Sequence, residues 1–297
     1  MKAPFLAALL ALAANQACAQ ASGKLYLSRD SDDFRERIAT LGYTGASGFG
    51  LKSGTSHYSS PGWDADGVLL AGTYRSDDEQ RQIDASLGAL HIDGRTRAVG
   101  GLEVLQKDVG WRSALGLSAE RDIVNSERGI EDGLTYDSLA LVGDHAFSDR
   151  FNVGVAAGVT WFSDDNHRPF LRTRWNLLLD DDWGLNGYLK TRHYHNSHPD
   201  RPAYYSPERL GEISLGLSAR FRASSQLVVS AQADGGRQDT EDDSQDIWSY
   251  SLGLSAPRQS RVQWSVALQG TNTAAAGANA SGAYRYTSLL AQLNVPF

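Results

Sequence analysis

The sequence predicts an all-β protein, an antiparallel transmembrane β-barrel of about sixteen strands, with fourteen as the alternative. Three observations favour this fold. Segments of about ten residues alternate apolar and polar side chains, turns rich in Gly, Asp, Ser and Asn separate them, and the last segment ends on Phe297. The predicted organisation is a signal peptide over residues 1–19 followed by one barrel over residues 20–297.

The alternation is clearest in the last third of the chain. Apolar side chains occupy every second position over 213–221, 227–233, 248–254 and 262–268, and the positions between them are mostly polar. A soluble β-sandwich also alternates, so the end of the chain is the discriminating feature. Phe297, Val295 and Leu293 share one face, and a terminal aromatic on such a strand resembles the signal read by the outer-membrane barrel assembly machinery. We therefore expect that machinery as a partner.

The spacing of the turns supports a barrel, because outer-membrane barrels have short turns at one end and longer loops at the other. Longer loops are expected near 121–133, 163–167, 196–208, 235–243 and 271–281. Tight turns are expected between them, near 107–110, 147–149, 180–183, 222–225 and 256–260. Towards the N-terminus the sequence predicts shorter hairpins, near 45–47, 59–64, 76–78 and 93–94, and a weak first strand around 24–28. The phase of the segment 34–43 is ambiguous.

The N-terminus has the layout of a secretory signal peptide. A lysine at position 2 precedes the apolar stretch Ala3–Ala14, and the small residues Ala17, Cys18 and Ala19 predict cleavage after Ala19. That stretch is too short to span a bilayer as a helix, and no later segment reaches the roughly 18 apolar residues required. We expect an exported chain in the bacterial outer membrane, in contact with its lipid and lipopolysaccharide.

Composition excludes several classes of function. Cys18 is the only cysteine, so the chain predicted after cleavage has no thiol chemistry and no disulfide. The net charge of -7 argues against a nucleic-acid partner, which would require a basic surface. His193, His195 and His198 cluster near a strand end, but a metal site is not expected there. No cofactor, catalytic constellation or helical segment is predicted, so the chain is not expected to be an enzyme.

A sixteen-stranded barrel has an interior too wide for side chains to fill, so a wet lumen is expected. Charged and tyrosine side chains on the inward positions could bind sugars, which present both C–H faces and hydroxyl groups. The alternative is that these side chains only line a pore and pair with one another. The candidate binding residues are Arg172, Arg174, Tyr188, Lys190, Arg192, Tyr194, Glu212, Arg220, Tyr284 and Tyr286. Aromatic girdles at the two membrane interfaces are expected to include Trp111, Trp161, Trp175, Trp248 and Trp264.

One segment suggests a family. After the predicted strand 188–195, the loop runs through Tyr204-Tyr205-Ser206-Pro207 and a basic Arg209 before the strand 213–221 begins. This segment, with the hairpin 144–162, resembles the barrel domain of the bacterial poly-N-acetylglucosamine export porins and of cellulose-export barrels. The resemblance implies passage of an exopolysaccharide across the outer membrane. Members of that family usually have a periplasmic helical-repeat domain, and no 34-residue helical repeat is present here, so a separate periplasmic protein is an expected partner.

Other functions fit the same pattern. A general or oligosaccharide diffusion porin would need the same wet lumen. A structural or assembly barrel with a plugged interior would need none, and an outer-membrane hydrolase cannot be recognised from residue spacing alone.

Overall fold

A computed structural model describes residues 19–108, 110, 112–273 and 284–297 of the chain. The predicted signal peptide lies outside these residues except for Ala19, as do Trp111 and most of the loop expected near 271–281. The strands are β1 Gln20–Asp30, β2 Arg35–Thr44, β3 Phe49–Ser60, β4 Trp63–Asp77, β5 Arg81–Ile92, β6 Arg95–Lys107, β7 Ser113–Ile123, β8 Thr135–Ala146, β9 Phe151–Phe162, β10 His167–Asp180, β11 Leu185–His195, β12 Arg209–Arg222, β13 Val228–Thr240, β14 Ser244–Ser255, β15 Gln263–Thr271 and β16 Tyr286–Pro296. A short helix, α1, covers Glu127–Glu131.

The strands form one closed antiparallel barrel. Each strand pairs with the next along the chain, and β1 pairs with β16 from Gln20 opposite Pro296 to Asp30 opposite Tyr286. The backbone N–H of Phe297 extends this ladder by donating to the carbonyl of Ala19 at 2.8 Å. The predicted sixteen-stranded barrel is confirmed. The first strand is longer than the sequence suggested, because pairing to β2 and β16 on both sides compensates for its weak apolar pattern.

The two faces of the barrel differ in polarity because successive side chains of a strand point to opposite faces. The outer face carries large apolar side chains in the open, among them Leu87 at 74 %, Leu41 at 72 % and Leu215 at 69 % exposure. Such a continuous apolar surface is characteristic of a protein that contacts lipid. Of the tryptophans expected in the aromatic girdles, the four that the structure describes also lie on this face: Trp161, Trp175, Trp248 and Trp264. No helix among the described residues is long and apolar enough to span a bilayer.

The connections separate into two ends. We call the end with Gln20 and Phe297 the terminal end, and the opposite end, which includes the segments 124–134 and 196–208, the loop end. Two connections expected to be long are short. β13 continues to Thr240, so the expected loop 235–243 is reduced to residues 241–243, and the loop near 163–167 has only the residues 163–166. Polar residues at the loop end still satisfy their backbone groups by strand pairing, which composition alone does not reveal.

The connection between β7 and β8 corrects the expectation that helices are absent. The hydroxyl of Ser126 caps α1 by accepting from the N–H of Gly129 at 3.0 Å. Ile130 of α1 is buried at 2 % exposure in a cluster with Tyr58 and Ile92 from inward positions of the wall. The segment 124–134 therefore packs against the inner wall at the loop end.

The adjacent glycines of β13 provide a test of this fold. A Cβ atom at Gly236, which faces inward, would lie 1.9 Å from the carbonyl oxygen of Ile213, whereas one at Gly235 would have nothing nearer than 3.8 Å. Gly236→Val should lower the free energy of unfolding by about 1–3 kcal/mol or prevent assembly, because the two strands must move apart. This effect can be measured by thermal unfolding in detergent and by the difference in gel mobility between heated and unheated samples. Gly235→Val is the matched control. Equal stability of the two variants would contradict the register of β12 and β13.

Candidate functional site in the barrel lumen

Four of the candidate cations form a compact group on the inner wall. Arg172 lies directly opposite Arg192 across the β10–β11 ladder, and Arg174 lies directly opposite Lys190. Like charges directly opposite each other destabilise a sheet, so such a group requires anions or water around it. The neighbouring strands β12 and β13 provide the anions.

Asp234 of β13 is the anion for Lys190. The Lys190 ammonium donates to its Oδ2 atom at 2.7 Å, and the hydroxyls of Tyr188 and Ser249 donate to the same oxygen at 2.9 and 2.6 Å. The Asp234 side chain is only 4 % exposed, whereas that of Lys190 is 31 % exposed. The carboxylate is therefore part of the wall, and the ammonium borders the lumen. Asp234 was not among the binding residues predicted from the sequence.

Glu212 of β12 is the anion for Arg192. The two residues are direct cross-strand partners, and the guanidinium holds the carboxylate in a two-pronged ion pair, with Nε donating to Oε2 at 2.7 Å. Bidentate geometry of this kind fixes both side chains. Arg192 and Glu212 thus pair with each other, as the alternative interpretation of the lumen residues anticipated.

Arg174 covers the ring of Tyr188. Its guanidinium carbon lies 4.1 Å from the ring centroid, and its Nε atom donates to Asn176 at 2.8 Å. The ring also lies against Gly216, where a Cβ atom would be 2.6 Å from the Tyr188 ring. Tyr188 is 2 % exposed as a result. This tyrosine supports the cation and presents no open face for a sugar.

The other candidates lie in different places. Tyr194 is buried at 8 % exposure beneath Arg168, and Arg220 lies exposed near the terminal end of β12. Tyr284 and Tyr286 belong to the region around β16, where Tyr286 hydrogen-bonds Tyr26 of β1. Strands β13, β14 and β15 separate them from β12, so the structure does not bring all ten candidates together.

A second part of the inner wall is acidic. Asp84 of β5 and Glu103 of β6 are direct cross-strand partners on the inner face, and Asp144 of β8 also faces inward. Among the described residues, no cation lies within ion-pair distance of Asp84 or Glu103. Arg75 of β4 is the other cross-strand partner of Asp84 and faces the same way, so the acidic wall borders a cation. Charged side chains of both signs on the inner face fit the wet lumen expected from the sequence.

Arg168 anchors the loop end. The residue is 1 % exposed, and its guanidinium donates from Nε to the Asn196 side chain at 2.7 Å and from Nη2 to the Tyr205 carbonyl at 2.8 Å. Its central carbon lies 4.5 Å from the ring centroid of Tyr194 and 5.0 Å from that of Phe162. These contacts fold the segment 196–208 over the barrel rim.

Tyr204 completes this anchor. Its ring stacks on Phe162 at 4.2 Å, and its hydroxyl donates to Asp164 at 3.0 Å while accepting from the Asn166 amide at 3.0 Å. Burial and the nearby Asp164 raise the pKa of the Tyr204 phenol above its ordinary value, and burial does the same for Tyr205. Both phenols therefore remain neutral at physiological pH. The Ser126 hydroxyl on the neighbouring segment 124–134 donates to the Ala203 carbonyl, which joins the two inward-folded segments.

The histidines do not form a metal site together. His193 and His195 lie on outward positions of β11, and His198 lies in the following loop. Within the described part of the chain, His57, Asp64 and Asp66 form a group whose possible ligand atoms all lie within 4.8 Å of one another. The Nδ1 atom of His57 is 2.8 Å from Oδ1 of Asp66, and both aspartates are exposed, so a hydrogen bond accounts for this group.

Comparison with solved structures identifies the type of barrel. A "Bacterial polysaccharide outer membrane secretin" aligns over 96 % of this chain and 100 % of its own, with 14 % identity and a TM-score of 0.73. "CdiB from Acinetobacter baumannii" aligns over 95 % of this chain and 60 % of its own, with 9 % identity and a TM-score of 0.56. This is the fold of an outer-membrane β-barrel. No protein-family profile and no curated protein sequence matches the chain.

The Arg168 anchor generates a direct prediction. Arg168→Met should lower the free energy of unfolding by about 3–5 kcal/mol, because the neighbouring polar groups lose their buried cation. It should also make the segment 196–208 sensitive to proteases. Thermal unfolding and limited proteolysis in detergent measure the two effects. Arg222→Met, at an exposed position near the terminal end, is the control. A variant as stable and as resistant as the control would show that Arg168 does not hold the loop.

Proposed function

We propose that this protein resides in the bacterial outer membrane as a channel for a polysaccharide, and that its substrate is an exopolysaccharide of the poly-N-acetylglucosamine type leaving the cell. The observation that carries the proposal is the inner wall, where a cationic group on β10–β11 and an acidic group on β5–β8 line one lumen. Side chains of both signs offer donors and acceptors to a hydroxyl- and amide-rich chain without a deep pocket that would retain it.

The match to a polysaccharide secretin over its full length supports the same proposal. The barrel needs no catalytic group for this role, because lumen shape and charge are sufficient for passive passage. Tyr188 and Tyr194 act indirectly, since their rings support cations and are covered by them. Arg172, Arg174, Lys190 and Arg220 are then the residues that contact the polymer. The barrel assembly machinery and a separate periplasmic helical-repeat protein are its proposed partners.

A plugged barrel without transport is the second candidate. The observation that favours it is that the segments 124–134 and 196–208 both fold inward at the loop end and contact each other. A general diffusion porin shares the wet lumen but requires no preference among sugars.

Planar bilayer recordings on the refolded chain separate these functions. We expect a steady conductance that is blocked by N-acetylglucosamine and glucosamine oligomers and not by maltodextrins of equal length. Equal block by both sugars would favour a general porin, and the absence of conductance would favour the plugged barrel.

Two double variants test whether the charged walls line the conducting path. Arg172→Gln with Arg174→Gln should shift the reversal potential towards cation selectivity, and Asp84→Asn with Glu103→Gln should shift it towards anion selectivity. Arg37→Gln, on an outward position of β2, should change neither. If both pairs leave selectivity unchanged, these walls do not line the conducting path.

A further inference from the structure

The outer face near the loop end carries a groove that the channel function does not use. This groove, which we call the histidine groove, has a volume of about 680 Å³. Six of its lining residues are Leu171, His193, His195, Arg209, Gly211 and Asp239. All six residues occupy outward positions of β10, β11, β12 and β13. The groove therefore opens towards the membrane and not into the lumen.

A glycine creates the open space. Gly211 lies directly opposite His193 on one side and Asp239 on the other. A Cβ atom at Gly211 would lie 3.4 Å from Nδ1 of His193, so the imidazole lies beside the bare backbone of β12. A large side chain at this position would occupy the space beside His193.

The polarity of the groove changes along the strands. Leu171 lies directly opposite His193, and Ile213 follows Gly211 on β12 towards the middle of the barrel; the two side chains are 42 % and 51 % exposed. Towards the loop end His195 lies directly opposite Arg209, and both are exposed. An amphipathic ligand with acyl chains on the apolar side and an anionic group on the polar side matches this arrangement.

Two guanidinium groups and two carboxylates lie around the groove and balance one another, since Arg237 faces Asp239 and Arg209 lies near Glu241. Asp239 is compensated by Arg237 at 3.5 Å, and the Glu241 carboxylate accepts the backbone N–H groups of Glu208 and Arg209 at 2.6 and 3.0 Å. The imidazoles add hydrogen-bond donors to this balanced set, and they add positive charge when protonated. His167, at the outward start of β10, brings a third imidazole to the same end.

We propose that the histidine groove binds a phosphate group of lipopolysaccharide in the outer leaflet. His193, His195 and Arg209 donate to the phosphate, and the acyl chains follow Leu171 and Ile213. The tryptophans Trp161 of β9 and Trp248 of β14 flank this region of the outer face, where strands β10–β13 carry imidazole and guanidinium groups. Only the orientation of the loop end towards the cell exterior is taken from the proposed function.

The test measures binding of diphosphorylated lipid A to the refolded chain in detergent micelles. His193→Ala combined with Arg209→Ala should weaken binding at least about tenfold, because two charge-assisted hydrogen bonds are lost. Gly211→Leu keeps every charge and should weaken binding to a similar degree by filling the groove. His91→Ala combined with Arg37→Ala removes the same residue types from outward positions on β5 and β2, and it should bind as the unmodified chain does.

Dephosphorylated lipid A and inorganic phosphate test whether the groove recognises the phosphate as part of the lipid. Dephosphorylated lipid A should bind at least about tenfold more weakly than the diphosphorylated form. Equal binding by both lipids, or equal binding by the groove variants and the control, would overturn the proposal. Displacement of lipid A by millimolar inorganic phosphate would show a small-anion site and would also overturn it. Channel conductance is unaffected by any of these outcomes, so failure here leaves the proposed function intact.

Discussion

The pairing of β1 with β16 is the constraint on which the rest of the structure depends. In lipid, an unpaired backbone N–H or carbonyl costs several kcal/mol, so a sheet can span the membrane only if its first and last strands meet. Eleven residue pairs make that junction here. Closure then fixes which side chains point inward, since each strand has one face towards lipid and one towards the lumen. The charged walls follow from closure, because inward polar groups have water where outward ones would have acyl chains.

Much of this architecture could be predicted from the sequence. Alternation over ten-residue segments is a local property, and it identified the inward face of β10, β11 and β12 correctly. The hairpin at Asp93-Gly94 could also be predicted, because this dipeptide favours a two-residue type I′ turn. Both residues adopt the positive φ angles that such a turn requires, 48° and 67°. The inward position of Asp234 could also be predicted, because it lies in phase with the polar positions of β13. Its contacts could not, because they depend on neighbouring strands that come together only in the folded barrel.

The interior contacts and loop conformations could not be predicted in the same way. Arg168 is a charged residue beside a predicted loop, and nothing local indicates that three aromatic rings and Asn196 surround it. Gly235–Thr240 was taken for a loop because it is polar, although pairing to β12 makes it strand. The open tyrosine faces expected for sugar binding are covered by arginines from an adjacent strand, a contact set by register and not by composition.

The proposed channel requires a continuous aqueous path between the charged walls. The chain predicted after cleavage contains no cysteine, so single cysteines can report on that path. Gln232 faces inward beside Arg174, to which its side-chain oxygen is 3.4 Å away, and its neighbour Ala233 faces lipid. In bilayer recordings, a charged, membrane-impermeant thiol reagent should reduce the current through Gln232→Cys and leave Ala233→Cys unchanged. An unmodified Gln232→Cys channel, or equal modification of both variants, would contradict an aqueous path between these walls.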